Sequence, residues 1–126
     1  GTMIRAAEAA GASVIMSPGC ADVFNPKVVR STMGSIFRVP LAVMDLKEAV
    51  HKLRKNDVTV YAAALKDSVS LEEIVLEEKR AFIIGNEANG ISEGILEEAD
   101  KKIRIPMKGK VESLNAAVSA AILLFR

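Results

Sequence analysis

Short apolar segments alternate with helical segments along most of this chain, and that alternation restricts its fold more than any other feature. Strands are predicted at residues 12–17, 38–44, 57–65, 81–85 and 102–106. Helical segments separate most of them, and strands joined by helices pair in parallel because the crossover returns the chain to the same end of the sheet. We therefore predict an α/β fold with a mostly parallel sheet and helices on both faces.

Residues typical of helix ends separate the helical segments from the strands. Gly11 follows a helical pattern over residues 3–10, as a C-terminal cap does. Asp45 precedes an amphipathic segment over residues 46–56, and Ser92 precedes another helical segment. Further caps are predicted at Asn25 before Pro26, at Ser70 with Glu73, and at Ser113 before the last helix. The apolar run at residues 81–85 is typical of a strand that is buried on both faces.

Composition limits both the kind of core and the compartment. The chain has 126 residues, enough for one domain, and half of them are hydrophobic. Only 4% are aromatic, so the core must be aliphatic. A single cysteine, Cys20, cannot form an internal disulfide and indicates a reducing compartment. Because neither a signal peptide nor an apolar run of about 18 residues occurs, we predict a cytoplasmic protein without a membrane segment.

Two polar loops follow apolar strands of the predicted sheet. Residues 85–90 (GNEANG) follow one strand, and residues 108–115 (KGKVESLN) follow another. Ligands of parallel sheets bind at the carboxyl ends of the strands, so these loops are the candidate site. Taken alone, each loop also has an ordinary interpretation, as a polar connection or as a helix cap at Ser113 with a solvated Asn115. Neither loop matches a glycine-rich phosphate-binding motif.

Taken together, the motifs resemble the SpoU/TrmH-type RNA ribose 2′-O-methyltransferases of the SPOUT superfamily. Residues 81–92 (AFIIGNEANGIS) look like the second motif of that family, and residues 103–125 look like its third. Residues 1–12 are similar to the first motif without its leading residues. Residues 30–40 (RSTMGSIFRVP) resemble the stretch that the family carries between its first and second motifs. The resemblance therefore covers essentially the whole chain.

This resemblance implies an S-adenosylmethionine-dependent RNA methyltransferase. The substrate would be a ribose 2′-OH of ribosomal RNA, or otherwise of transfer RNA. It also implies a trefoil knot near the C-terminus that forms the cofactor pocket, and a homodimer with the active site at the subunit interface. Residues 1–126 would form the catalytic domain, without its N-terminal strand and any RNA-recognition domain. That shortened start predicts weakened cofactor binding or lost methyl transfer in this chain by itself.

Roles for individual residues follow from the same resemblance. Cofactor contacts are implied for Gly85, Asn86, Ile105, Met107 and Leu114. The methyl-transfer centre is implied at Arg5, Glu87, Ser113 and Asn115. Because a guanidinium group keeps its proton at neutral pH, we expect Arg5 to position the ribose and offset negative charge, and leave open whether it accepts the proton. Arg30 and Arg38 are either contacts for RNA phosphates or ordinary surface charges.

No metal site is predicted. His51 lies among the lysines of an amphipathic helix, where a solvated imidazole is expected, and Cys20 has no evident histidine partner. The sulfonium of S-adenosylmethionine is already a charged leaving group, so the implied reaction needs no metal.

Two other functions compete with the enzyme. A non-catalytic RNA-binding or dimerisation module could keep the fold, but the joint presence of Arg5, Glu87, Ser113 and Asn115 favours catalysis. An unrelated nucleotide-binding α/β protein is disfavoured because the chain has no phosphate-binding loop.

Overall fold

The structure is a computed structural model that describes residues 2–17, 34, 38–85, 90–107 and 116–126. Its helices, in chain order, are α1 (Thr2–Ala10), α2 (Leu46–Lys55), α3 (Glu93–Glu98) and α4 (Ala116–Leu124), with a 3₁₀ turn at Leu71–Glu73. Its strands are β1 (Val14–Met16), β2 (Leu41–Val43), β3 (Thr59–Ala63), β4 (Val69–Ser70), β5 (Arg80–Ile83) and β6 (Lys101–Arg104).

Every strand pairing among the described residues is parallel. Strands β4, β6, β3 and β5 form one sheet in that order, and β1 pairs with β2 in a second sheet. Helices connect β2 to β3 and β5 to β6. The predicted α/β class with a mostly parallel sheet is confirmed.

Strand β3 is the centre of the larger sheet. Val60, Tyr61 and Ala62 are each 0% exposed, and successive side chains of a strand point to opposite faces, so both faces are covered here. On one face Tyr61 joins a buried cluster with Leu71, Ile103 and Leu123, the last of which lies on α4. Helix α2 also contacts β3. The core is aliphatic apart from Tyr61, as the composition predicts.

A second buried cluster attaches α1 to the segment before β2. Ile4 and Ala7 of α1 pack with Val39, and Leu124 of α4 packs against this cluster. Through Leu124 the cluster joins α1 to the helix that lies on the larger sheet. The position of α1 is therefore fixed by apolar contacts on one side, which leaves its other side for polar residues.

The predicted helix ends at Gly11, Asp45 and Ser92 are confirmed. Gly11 has φ +72, and Ala12 N donates to the Ala7 carbonyl at 2.8 Å, which is the Schellman arrangement. Glu48 N donates to Asp45 Oδ2 at 3.1 Å. Ser92 Oγ accepts from a backbone N–H in the first turn of α3.

One prediction about an element was wrong, and one strand was not predicted. Strand β5 is half-buried rather than buried on both faces, because within the described residues it pairs only with β3. The predicted cap at Ser70 is confirmed, because Ser70 Oγ accepts from Glu72 N at 3.3 Å, and the short helix that it begins is a single 3₁₀ turn. Ser70 also belongs to β4, a two-residue strand that the sequence did not predict. The predicted helix at residues 26–31 and the start of the last helix lie outside the described residues.

Candidate functional site

The parallel pairing brings the carboxyl-terminal ends of β5 and β6 to the same side of the larger sheet, which we call its carboxyl-terminal edge. The two strands lie on either side of β3, and adjacent strands are about 4.8 Å apart, so the loops that follow them start about 10 Å apart. Ile84 and Ile105 follow directly after these strands, and both pack against the same buried cluster. The two predicted loops therefore start from one shared apolar support.

Gly85 is at the start of the first loop, and backbone contacts leave no room for a side chain there. A Cβ on Gly85 would lie 2.6 Å from the carbonyl carbon of Gly90 and 2.7 Å from the nitrogen of Ile91. The loop thus closes on itself, and its two ends touch. Gly90 has φ +64, a left-handed conformation that favours glycine. Beyond it Ser92 caps α3, so the loop leads directly into a helix.

Three half-buried residues, Ile105, Pro106 and Met107, follow β6 and lead into the second predicted loop. Arg104, the last residue of β6, donates through Nη1 to the backbone carbonyl of Ser68. This hydrogen bond joins the end of β6 to the connection between β3 and β4. Ile105 and Met107 thus present half-buried apolar side chains after the end of β6.

Several predicted site residues lie outside the described part of the chain. They are Asn86, Glu87, Ser113, Leu114 and Asn115 of the two loops, together with Arg30. Their roles stay predictions. Gly85, Ile105 and Met107 are described and belong to the same edge of the sheet.

Arg5 and Arg38 both lie at the polar side of α1. Arg5 is exposed on that helix. Arg38 Nε donates to Glu8 Oε2 at 2.7 Å, which forms an ion pair between α1 and the segment before β2. Glu8 was missed in the sequence because its partner is 30 residues away, and no local pattern indicates such a pair.

Two further ion pairs lie near the amino-terminal ends of β3 and β6, opposite to the end at which Gly85 and Ile105 lie. His51 Nε2 is 2.8 Å from Glu98 Oε2, and Arg54 Nε is 3.2 Å from Asp100 Oδ1. The hydrogen bond with His51 is the main cause that lowers the pKa of Glu98 below its ordinary value, against a smaller opposing effect of desolvation. Asp100 Oδ2 also accepts from Val60 N at 2.8 Å. His51 is thus exposed as predicted, and it is paired rather than merely solvated.

A cavity of about 470 Å³ also lies at that amino-terminal end. Its lining includes Arg54, Glu77, Asp100 and Lys101, so it carries charges of both signs. It is on the edge of the sheet opposite to Gly85 and Ile105, and it is not the predicted cofactor site. In the same described part of the chain, no group of three or more His, Cys, Asp or Glu residues could hold a metal ion. No helix within those ranges is long and apolar enough to cross a membrane.

Comparison with known proteins gives matches along the whole chain. The model of the SpoU rRNA Methylase family matches residues 1–125. The 23S rRNA (guanosine(2553)-2′-O)-methyltransferase of Bacillus subtilis is 43% identical over 126 residues, a match that covers 99% of this chain and 51% of that protein. The chain spans about half the length of the curated relatives it matches.

Solved structures of similar proteins have the same fold. An AdoMet-bound rRNA methyltransferase from Sinorhizobium meliloti superposes with a TM-score of 0.91 at 36% identity, over 98% of this chain and 48% of that one. The SpoU methyltransferase AviRb from Streptomyces viridochromogenes, in complex with AdoMet, superposes with a TM-score of 0.88 at 29% identity, over 98% of this chain and 49% of that one.

Proposed function

This chain belongs to the SpoU rRNA methylase family, and we propose that it is the catalytic domain of an S-adenosylmethionine-dependent RNA methyltransferase acting on a ribose 2′-OH. The observation that carries this proposal is the edge of the larger sheet where the closed loop at Gly85 and the segment from Ile105 to Met107 start side by side. Ligands of parallel sheets bind at this kind of edge. The AdoMet-bound relatives, with TM-scores of 0.91 and 0.88, support the same cofactor here.

Cofactor binding is assigned to five residues of the two loops: Gly85, Asn86, Ile105, Met107 and Leu114. The close approach of backbone at Gly85 supports this assignment, because it fixes the two ends of the loop that carries Asn86. Half-buried Ile105 and Met107 supply apolar surface for a base. Bound S-adenosylmethionine supplies a methyl group on a positively charged sulfur.

The transfer centre is assigned to Arg5, Glu87, Ser113 and Asn115. Arg5 is exposed on α1, so its guanidinium is free to reach the RNA, and it keeps its charge at neutral pH. We assign it to holding the ribose or its phosphate, which positions the 2′-oxygen and offsets the negative charge that develops there. Recognition of a 2′-OH also restricts the substrate to RNA.

The RNA contacts are extended by Arg30 and Arg38. Arg38 is described and exposed, and it lies beside the helix that carries Arg5. The target RNA is ribosomal RNA, or otherwise transfer RNA, which places the reaction in the cytoplasm. Ribosomal RNA is preferred because the Bacillus relative is named for a 23S rRNA guanosine.

A trefoil knot near the C-terminus and a homodimer complete the proposal. Helix α4 supports the homodimer because it is apolar on both sides: Leu123 is buried in the core, while Val118, Ile122 and Phe125 are 47%, 38% and 63% exposed. Those three residues recur at helical spacing and form one outer stripe. A helix that is apolar all round is normally covered on every side. A second copy of the chain covers the stripe in this proposal.

Isothermal titration calorimetry of the full-length protein with S-adenosylmethionine tests the enzyme against a non-catalytic RNA-binding module. The enzyme binds the cofactor with one site for each chain, and the absence of binding would refute it. Mapping ribose methylation in cells that lack the gene then identifies the RNA and the nucleotide, as the position whose methylation disappears.

A further inference from the structure

We infer that Glu8 is a positioning residue, which holds the guanidinium of Arg38 beside Arg5 so that both arginines meet the RNA backbone. The inference rests on the proposed function. It concerns a residue to which neither the family motifs above nor the names of the relatives give a role.

Arg38 is held from three directions. Its Nε donates to Glu8 Oε2 at 2.7 Å. Its neighbour Val39 is buried in the cluster with Ile4 and Ala7, which anchors the backbone of this segment to α1. A Cβ on Gly34 would lie 2.9 Å from Arg38 Nη1, so the guanidinium packs closely against Gly34. A side chain with such contacts has a defined direction, although 57% of its surface is exposed.

Glu8 and Arg5 share the polar side of α1. They are three residues apart, which puts them one turn from each other on the same side of a helix. Because Arg38 binds Glu8, its guanidinium lies on the side of α1 that also carries Arg5. Positive charges on one side of a helix repel each other, and the carboxylate of Glu8 offsets that repulsion.

An ion pair this exposed contributes little to the free energy of unfolding, so we assign it a role in orienting Arg38 rather than in stability. Arginine has five N–H donors, and the bond to Glu8 uses the one on Nε. The outer nitrogens then point along a direction set by that bond, which suits bidentate recognition of a phosphate. Glu8 itself is negative and weakens the attraction of this surface for RNA. Its presence is explained if orientation matters more than total charge.

Neutralising Glu8 distinguishes an effect on the orientation of Arg38 from an effect on the total charge. The charge effect should strengthen RNA binding, whereas the loss of orientation should slow methyl transfer. In the full-length protein, Glu8→Gln removes a negative charge, so binding to poly(U) as a plain phosphate probe should be unchanged or tighter. Methyl transfer to total RNA from cells lacking the gene should nevertheless fall about tenfold in kcat/KM, because the neutral amide oxygen of glutamine holds the Arg38 guanidinium more weakly than a carboxylate does. Transfer that is unchanged or faster would overturn the inference.

Arg38 variants test whether Glu8 acts through that residue. Arg38→Ala should lower the slope of log affinity for poly(U) against log salt by about 0.7, the loss of one phosphate contact on a single strand. The double variant Glu8→Gln with Arg38→Ala should transfer no more slowly than Arg38→Ala alone. The reversed pair, Glu8→Arg with Arg38→Glu, restores the ion pair but should not restore transfer. If the reversed pair did rescue transfer, the contact would be structural only, and the inference would be wrong.

Glu98→Gln is the matched control. It neutralises another partly exposed glutamate in an ion pair, on α3 rather than on α1, and it should leave transfer unchanged. The melting temperature of each variant separates a folding defect from a positioning defect. Wild-type protein that neither binds S-adenosylmethionine nor transfers methyl would overturn the proposed function as well. An active wild type with an unimpaired Glu8→Gln variant would overturn the inference about Glu8 alone.

Discussion

Gly85 and Gly90 approach each other so closely that a Cβ on Gly85 would lie 2.6 Å from the carbonyl carbon of Gly90. The atoms that this Cβ would meet belong to the backbone, which cannot rotate away as a flexible side chain can. The contact closes the first loop of the proposed cofactor site at its base. Its geometry therefore depends on a residue without a side chain at position 85.

Gly85→Ala should disturb this loop and weaken S-adenosylmethionine binding by about tenfold or more, at a stability cost of about 1–3 kcal/mol from overpacking. Titration calorimetry measures the first effect and urea unfolding the second. Gly94→Ala is the control, because a Cβ there meets nothing within 4 Å and the residue lies in α3. Equal cofactor affinity in the Gly85→Ala variant and the wild type would show that the loop has another role.

Arg5→Ala and Asn115→Ala should each reduce kcat for methyl transfer by about 10²–10³-fold, the size expected when one oriented donor is lost from a transfer centre. Circular dichroism should show an intact fold, because Arg5 is exposed and contributes little to the core. Lys52→Ala, which removes another exposed cation, is the control for general loss of RNA attraction. Near-normal turnover by either variant would remove that residue from the proposed centre.

Leu114→Asp should weaken cofactor binding more strongly than it weakens folding. A carboxylate in an apolar cleft loses its hydration without gaining a partner. Leu114→Met conserves the volume and the apolar character, so its affinity for S-adenosylmethionine should stay close to that of the wild type. The pair of calorimetric titrations decides the matter, and similar affinities for both variants would place Leu114 outside the pocket.

Phe125→Glu should convert the proposed homodimer into a monomer that stays folded. Phe125 directly follows α4 and is 63% exposed at the end of its outer stripe, so a charge there opposes association rather than folding. Val75→Glu is the control, because Val75 is 91% exposed and lies outside α4. Sedimentation velocity distinguishes the dimer from the monomer by their sedimentation coefficients. A wild type that sediments as a monomer, or a variant that stays dimeric, would argue against this interface.

Acid should destabilise the protein partly through Glu98. Its pKa in the folded protein is lowered from an ordinary value of 4.5, chiefly by the hydrogen bond with His51. A lowered carboxyl pKa contributes stability that is present above the unfolded value and is lost as the pH falls through the folded value. The wild type should therefore lose more stability below pH 4.5 than Glu98→Gln does. Urea midpoints measured across that range test the difference, and parallel curves would contradict it.

The fold class could be predicted because local patterns carry it. The helix end at Gly11 follows from a glycine in a left-handed conformation, and the starts at Asp45 and Ser92 follow from side chains that bond to nearby backbone N–H groups. Strand β4 could not be predicted, because its two residues pair with β6 more than 30 residues later. The burial of β5 also depends on its place in the sheet rather than on its own composition.

The residues of the candidate site were predicted from the family motifs more than from hydrophobic periodicity and turn patterns. Gly85 and Ile105 could be expected near each other once both strands were assigned to one parallel sheet. Their exact supports, such as the contact between Gly85 and Gly90, come from packing that no periodicity reports. The pair of Glu8 and Arg38 joins residues 30 positions apart and has no local signal.

The most direct test of the proposed function uses tritium-labelled S-adenosylmethionine, the full-length protein and total RNA from cells that lack the gene. Alkali cleaves RNA only next to a free 2′-OH, so ribose methylation leaves labelled, alkali-resistant dinucleotides. We predict that the label appears in those dinucleotides and that Arg5→Ala abolishes most of it. Label in mononucleotides would indicate methylation of a base, and an unlabelled RNA would indicate no transfer. Either result would contradict a ribose 2′-O-methyltransferase.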